Sequence, residues 1–227
     1  MSCFACFLQV LGLLFRRSIK GKIVNRRRTD SGFSLIEALV VIAIILIMAG
    51  AAIIQIGPAL KGAKSNTAIE STLGLLRRYH EAAVNQRKVY RITFKTPRTI
   101  VVDQQAYDDK GNLTYANVSS TDLPVETQFL CVDGLPNTQA TVPDGLGDGK
   151  TAIDFSVDYG GGDNVVFFQK DGRATDSNGR PNNGVLYIAQ PGELTSSKAV
   201  TVLAGTGRVK GWRLTMSSDG SAIWRSL

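Results

Sequence analysis

The pattern of apolar and polar positions opens with one long apolar stretch. From residue 33 to residue 56 the only clearly polar side chains are Ser34, Glu37 and Gln55. At about 1.5 Å per residue, a helix of this length crosses a hydrocarbon core about 30 Å thick. The pattern therefore predicts a membrane-spanning helix over residues 33–57.

Beyond this stretch the pattern becomes amphipathic. Gly57-Pro58 is expected to kink the helix, because proline removes a backbone donor and clashes one turn back. Side chains of one face then recur at three- and four-residue spacing, with charged residues at most other positions. That face consists of Leu60, Ile69, Leu73, Leu76, His80, Ala83 and Val84. We predict an amphipathic helix over residues 58–87, continuous with the first helix, ending near Gln86 and packed on a soluble domain.

From Lys88 onward the alternation has a period of two, which is typical of strands. Residues 89–94 and 99–103 predict a hairpin around Thr96-Pro97-Arg98. Further strands are predicted at 128–132, 152–157, 164–169, 184–189, 198–203, 207–216 and 221–225. The Gly-, Pro- and Asp-rich segment 133–150 is expected to be a surface loop. The predicted fold class is α+β, with a long N-terminal helix packed on an antiparallel β-sheet or β-sandwich domain formed by residues 88–227.

The positive charge of the chain lies almost entirely ahead of the apolar stretch. The formal net charge is +7, but residues 1–32 hold seven basic residues and one acidic residue, whereas the remainder holds 19 and 18. By the positive-inside rule, this basic segment holds the N-terminus in the cytoplasm. The net charge is therefore not evidence for nucleic-acid binding, and a single-pass membrane protein is predicted.

Glu37 is the unusual residue of the apolar stretch. Placing a charged side chain at a bilayer centre costs about 2.5–3.5 kcal/mol on insertion scales, so such residues are commonly functional. The order Arg26-Arg27-Arg28, Gly32, Phe33, Glu37 and a long apolar run resembles the class III signal of type IV prepilins and type II secretion pseudopilins. The resemblance implies that residues 1–32 are a cytoplasmic leader, that a prepilin peptidase cuts after Gly32, and that Phe33 becomes N-methylated.

An assembly role for Glu37 follows from this resemblance. Cleavage exposes an amine on Phe33 that stays positively charged after methylation. When subunits stack, Glu37 of one subunit is expected to pair with this amine on another, because each unpaired charge is costly in lipid. The leader is long, and initiation at about Val24 instead of Met1 would leave a short basic leader, so the sequence leaves the start codon open.

The C-terminal half also resembles a family domain. Residues 167–174, 184–188 and 199–202, followed by Gly207-Arg208-Val209-Lys210, look like the domain of GspH/FimT-type minor pseudopilins. Those relatives close with Gly-Arg-x-Arg, and Lys210 keeps the charge of the last position but loses the guanidinium geometry. The resemblance implies a minor pseudopilin, a structural subunit of a type II secretion pseudopilus involved in protein export.

The same resemblance implies a location and a set of partners. The expected location is the bacterial inner membrane, with the C-terminal domain in the periplasm and assembly into a periplasmic pseudopilus. The expected partners are other pseudopilins or minor pilins, the prepilin peptidase and the inner-membrane assembly platform. The sequence leaves open which secretion or pilus machine is served.

An alternative function rests on the last long strand. Arg208, Lys210 and Trp212 alternate on one side of it, with Arg213 close by. A basic row with an aromatic residue suits phosphate contact and base stacking. The alternative, strengthened by the resemblance to FimT-type proteins, is a type IV pilus minor pilin that binds DNA for uptake or primes pilus assembly. The near-neutral charge of residues 33–227 argues against it.

No enzymatic activity, cofactor or metal is predicted. His80, the only histidine, lies on the apolar helix face and no motif pairs it with a nucleophile. Asp144 and Asp148 lie in Gly-rich turns whose spacing matches no EF-hand. Cys131 is the only cysteine after residue 32, so no intramolecular disulfide is expected in the processed chain.

Overall fold

A computed structural model describes residues 34–160 and 162–227, without the side chains of residues 51–61. The chain divides into two units, residues 1–50 and 51–227, and each is described by itself. Helix α1, Leu35–Gln86, contributes to both units and runs through Gly57-Pro58 without a break. Its end at Gln86 confirms the predicted end, and a bend of the axis at the proline stays a prediction.

The membrane-spanning prediction concerns α1. In the part of the chain that the structure describes, no helix is found that is both long enough and apolar enough for a membrane span. The predicted span, residues 33–57, includes Phe33 and side chains after residue 50 that lie outside the described residues. The span therefore stays a prediction.

Eleven strands are described in residues 34–160 and 162–227. They are β1 Tyr90–Lys95, β2 Thr99–Tyr107, β3 Leu113–Asp122, β4 Gln128–Phe129, β5 Ile153–Asp154, β6 Val165–Phe168, β7 Ala174–Thr175, β8 Gly184–Gln190, β9 Glu193–Leu203, β10 Arg208–Met216 and β11 Ala222–Ser226. Two 3₁₀ turns, Pro143–Gly145 and Val157–Tyr159, lie in the connections. The β1–β2 hairpin confirms the first predicted strand pair.

The strands form two antiparallel sheets. The first sheet has the order β3-β2-β1-β6-β7. The second sheet has the order β11-β10-β9-β8-β4, and β5 also pairs with β8. The predicted α+β class, a helix packed on antiparallel sheets, is confirmed.

One apolar core joins the helix to both sheets. The helix buries Ile69, Leu73 and Leu76, and the same core includes side chains from the inner faces of both sheets. Those side chains include Ile92, Phe94, Ile100, Val102, Val166 and Phe168 of the first sheet and Leu186, Ile188, Val200, Val202 and Val209 of the second. Of the predicted helix face, Val84 is 42% exposed, and Tyr79, which the prediction omitted, is buried.

A second, smaller core lies on the outer face of the second sheet. Val185, Tyr187, Ala199 and Leu214 of that face pack against Leu135 and Leu146 of the connection between β4 and β5. The segment 133–150 was expected to be a surface loop, and this expectation is wrong in part. The segment is irregular, but its apolar side chains cover the sheet, so β8 is buried along its whole length.

Strand boundaries differ from the predictions where a strand lacks an apolar pattern of its own or pairs with a strand far along the chain. Strand β3, an exposed edge strand, was not predicted, because its two faces are both largely exposed and no apolar alternation marks it. The predicted strands 128–132 and 152–157 contract to the two-residue strands β4 and β5, each paired with β8. Strand β9 begins at Glu193, five residues before its predicted start.

Candidate functional site

The predicted processing site lies at the edge of the described chain. Gly32 and Phe33 are outside the described residues. Helix α1 begins immediately after Ser34, whose carbonyl accepts hydrogen bonds from the backbone N–H groups of Glu37 and Ala38 at 3.0 and 3.1 Å. The helix therefore begins directly after the predicted cleavage position.

Glu37 lies in the first turn of α1 and its side chain is exposed. Ser34 and Glu37 have the Ser-x-x-Glu spacing of a capping box, in which the third helical residue caps the first turn and its negative charge interacts favourably with the helix dipole. Glu37 is thus suited to begin the helix as well as to make the predicted assembly contact. A glutamine at this position keeps the capping chemistry and removes the charge.

The helix after Glu37 presents an apolar surface on all sides. Large apolar side chains from Leu35 to Met48 are 47–78% exposed. Soluble monomers rarely expose contiguous apolar patches of this kind, and a helix that is apolar all round belongs in lipid or against other helices. This surface needs a cover that residues 34–50 do not supply themselves.

The C-terminal basic row lies on β10. Alternation along the strand places Arg208, Lys210 and Trp212 on the outer face of the second sheet, where Trp212 packs against the second core. Val209 and Gly211 point to the opposite, inner face, where Val209 joins the main core and Gly211 lies against Leu73. Three of the four predicted residues therefore share a face.

Lys210 and Trp212 are engaged in a hydrogen-bonded network. Lys210 Nζ lies 3.8 Å from the Trp212 ring centroid and 3.3 Å from Asp144 Oδ1. Trp212 Nε1 donates to Thr201 Oγ1 at 3.1 Å, and Thr201 Oγ1 donates to Asp144 Oδ2 at 2.6 Å. Asp144 has φ 51°, in the left-handed region, and sits on the connection that covers this face. The network thus fastens that connection to the sheet.

Arg213 does not belong to the same face as the other three residues. It follows Trp212, so its side chain points to the inner face of the second sheet, and its register partner on β9 is Lys198. Arg208 is exposed on the outer face. Of the predicted row, Lys210 and Trp212 are in contact with each other. Arg208 lies on the same face two residues before Lys210, whereas Arg213 lies on the opposite face of the sheet. The DNA-binding alternative stays a prediction.

The glycine that opens the Gly207-Arg208-Val209-Lys210 stretch has a steric reason. Gly207 has φ 61°, and a Cβ there would overlap the Gly172 carbonyl and approach the His80 ring to 2.6 Å. His80 Nε2 donates to this same carbonyl at 2.9 Å, and the ring packs edge-on against Phe168 at 5.3 Å. His80, which the sequence places on the apolar helix face, is thus a partly buried packing residue.

The acidic residues of the turns make local contacts. Asp148 Oδ1 accepts hydrogen bonds from the backbone N–H groups of Thr151 and Lys150, and these hold the pKa of the carboxyl below its usual range. Within residues 34–160 and 162–227, no three His, Cys, Asp or Glu side chains come together as a metal site. Burial, with a smaller effect of Asp148, raises the pKa of the Cys131 thiol to about 12.

Two features of the site escaped sequence analysis. Asp144 and Thr201 reach Lys210 and Trp212 across the fold, and the Asp144–Lys210 pair is separated by 66 positions in the chain. The pairing of Lys198 with Arg213 depends on the β9–β10 register. The only local signal was the Pro-Asp-Gly order at Pro143–Gly145, which is typical of a turn but says nothing of the partner.

Comparison with known proteins gives one family match. The model of the prokaryotic N-terminal methylation motif matches residues 27–53. A comparison with curated proteins finds no match. Among solved structures, the minor pseudopilin EpsH from the type 2 secretion system of Vibrio cholerae is similar, with 15% identity, a TM-score of 0.35, and coverage of 72% of this chain and 96% of EpsH. The chain thus carries a prokaryotic N-terminal methylation motif at the start of an α+β fold.

Proposed function

We propose that this protein is a minor pseudopilin, a structural subunit of a type II secretion pseudopilus involved in protein export. In this proposal the leader of residues 1–32 is removed after Gly32 and Phe33 is N-methylated. Residues 33–57 then anchor the subunit in the inner membrane, and the β-rich domain lies in the periplasm. The partners are other pseudopilins or minor pilins, the prepilin peptidase and the inner-membrane assembly platform.

The observation that carries the proposal is the methylation motif over residues 27–53 on a helix whose exposed side chains are apolar on every side. Cleavage at the motif exposes the new amine of Phe33. The apolar surface of α1 favours contact with lipid before assembly and with other helices after assembly. Helices in lipid gain no hydrophobic driving force from associating, so packing and polar contacts determine which arrangement forms. This gives the charged Glu37 a role in selecting the register.

Glu37 is proposed to pair with the methylated amine of another subunit. It lies in the first helical turn with an exposed side chain, within reach of a partner and not committed to the interior of its own chain. A carboxylate and an amine in lipid each cost several kcal/mol when alone, and pairing offsets much of this cost. The pair therefore favours assembled over separate subunits.

The test uses two variants of Glu37 in the full-length chain, co-expressed with candidate partner subunits. Glu37→Gln keeps the capping chemistry, and Glu37→Ala removes it along with the charge. Both are expected to enter the membrane normally, as measured by alkaline extraction, and to co-purify with partner subunits at least tenfold less than wild type, about 1.4 kcal/mol of lost pairing.

Glu81→Gln is the matched control, because Glu81 is exposed on the same helix and lies outside the methylation motif. It is expected to co-purify like wild type. Wild-type recovery of partner subunits with Glu37→Gln would show that the charge has no assembly role. Loss only with Glu37→Ala would assign Glu37 to helix capping instead.

A further inference from the structure

A cleft of about 710 Å³ separates α1 from one end of the second sheet. Ser65, Asn66 and Ile69 of the helix form one wall, and the β8–β9 hairpin forms the other. Ser65 Oγ donates to the Ser196 carbonyl at 2.5 Å and fixes the separation of the two walls. Lys198 of β9, which is buried, and Arg213 of β10, which is exposed, also line the cleft.

These two cations are held side by side by the sheet. Lys198 and Arg213 are direct register partners in the antiparallel pair β9–β10, and both point to the inner face. Lys198 is only 8% exposed. Across residues 34–160 and 162–227, neither side chain has a hydrogen bond or an ion pair with another residue.

This arrangement is unfavourable without a counter-charge. Like charges directly opposite each other on neighbouring strands are destabilising. Burial, and secondarily the charge of Arg213, lower the pKa of Lys198. An anion between the two side chains would replace repulsion by two charge-assisted hydrogen bonds, and the Arg213 guanidinium can hold a carboxylate through two parallel bonds.

Acidic side chains that line the cleft restrict which anion binds there. Glu70 and Glu193 also line it, and Glu193 accepts a hydrogen bond from Thr195 Oγ1 at 2.8 Å. These two carboxylates oppose a polyanion such as nucleic acid, whose many phosphates would approach them. A single carboxylate on an otherwise neutral chain meets less of this repulsion. The volume far exceeds a carboxylate group, and hydrogen-bonding walls with apolar Ile69 suit the surrounding peptide.

We propose that this cleft binds an acidic side chain, Asp or Glu, presented by a partner protein, with Lys198 and Arg213 as its two ligands. The inference rests on the proposed function, which supplies neighbouring subunits as partners. It adds a polar contact of the globular domain that is separate from the contact of Glu37. The two contacts involve different residues on different parts of the chain.

The test measures how fast Lys198 of the detergent-solubilised full-length protein is acetylated, resolved by peptide mass spectrometry, with the exposed Lys95 as an internal reference. The probes are a terminally blocked peptide with one Glu, the same peptide with Gln, inorganic phosphate, and a single-stranded oligonucleotide. The Glu peptide is expected to slow acetylation of Lys198 several-fold and to leave Lys95 unchanged, whereas the Gln peptide has no effect.

Arg213→Gln is expected to weaken the protection by the Glu peptide about tenfold, as loss of a charge-assisted contact predicts. The matched control is Arg208→Gln, which removes an exposed arginine from the outer face of the same strand and should leave protection unchanged. Absence of protection by the Glu peptide at millimolar concentration overturns the proposal. So does protection by phosphate or the oligonucleotide at lower concentration than by the peptide.

The outcome is independent of processing. Arg213→Gln is expected to be cleaved after Gly32 and methylated like wild type, so loss of peptide protection with normal processing concerns the cleft alone. Failure of processing in wild type concerns the proposed function and not the cleft.

Discussion

Asp144 holds the connection between β4 and β5 against the second sheet by accepting hydrogen bonds from Thr201 and Lys210. Its carboxylate is largely buried, with 17% of the side chain exposed. The same contacts place the Lys210 amine over the Trp212 ring, so the charge of this lysine is used in contacts within the domain. Lys210, which the sequence offers as a DNA contact, is thus partly neutralised by Asp144, an acidic residue far away in the chain.

We expect Asp144→Asn to lower the free energy of unfolding by about 1–2 kcal/mol. This is below the full contribution of two hydrogen bonds to a charged group, because asparagine keeps one acceptor oxygen. Asparagine tolerates the left-handed backbone at this position, so the change isolates the charge. Thermal unfolding of the full-length protein in detergent, followed by tryptophan fluorescence, measures it. Both tryptophans, Trp212 and Trp224, pack at this face.

The matched control for this substitution is Asp171→Asn. Asp171 pairs with Arg173 at 2.7 Å, but both side chains are about half exposed, so this pair is expected to contribute less than about 1 kcal/mol. Equal effects of the two substitutions would contradict the structural role assigned to Asp144.

The hydrogen bonds of Asp176 make the stability of the fold depend on pH. Burial alone would raise the pKa of this carboxyl, but hydrogen bonds from the Arg180 backbone and side chain and from the Asn178 backbone hold the pKa below its usual range. A carboxyl with a depressed pKa in the folded state stabilises the fold above its ordinary pKa, and this contribution is lost as pH falls through the depressed value.

We therefore expect wild type to lose stability below about pH 4, and Asp176→Asn to lose less over the same range. Thermal midpoints measured from neutral pH down to about pH 2 give the two slopes, with the exposed Asp109→Asn as the control. Parallel slopes for wild type and Asp176→Asn would contradict the assignment.

At the scale of the elements, a helix or strand is predictable when its own sequence carries the pattern that defines it. Helix α1, the β1–β2 hairpin and β8 carry a long apolar pattern, and their predicted positions agree with the structure. Strand β3 carries no such pattern, because neither face is covered. Strands β4 and β5 are defined by pairing with β8, which no local pattern reports. The connection over the second sheet was misjudged because its Gly and Pro content conceals the buried Leu135 and Leu146.

Strand β8 begins at Gly184, where the neighbouring core leaves no room for a Cβ. A Cβ on Gly184 would overlap the ring of Phe155, which is buried and stacked on Phe94 with ring centroids 4.9 Å apart. We expect Gly184→Ala to lower the free energy of unfolding by about 1–3 kcal/mol, the usual cost of overpacking a core. Gly205→Ala is the matched control, because a Cβ there meets no atom within 4 Å.

Chemical denaturation of the two glycine variants checks this prediction. The control is expected to unfold at nearly the wild-type midpoint. An unchanged midpoint for Gly184→Ala would show that Phe155 moves aside at little cost, and it would contradict the close packing of β8 against the main core.

At the scale of the whole molecule, the sequence carries a short N-terminal motif that a family model matches, but it does not carry the contacts within the domain. Gly32, Phe33 and Glu37 follow a basic segment in the order that predicts processing, and the methylation-motif model matches residues 27–53 around them. Cleavage after Gly32 and methylation of Phe33 stay predictions. The contacts of Asp144 with Lys210, and the pairing of Lys198 with Arg213, depend on register between distant segments. Residue types alone grouped Arg213 with Lys210, whereas the sheet places them on opposite faces.

Intact-mass spectrometry of the protein purified from membranes tests the central claim most directly. Samples come from cells with an active prepilin peptidase and from cells without it. The account predicts a mature chain that begins with N-methylated Phe33 in the first sample and a chain that retains residues 1–32 in the second. An intact, unmethylated leader in the presence of active peptidase would contradict the account.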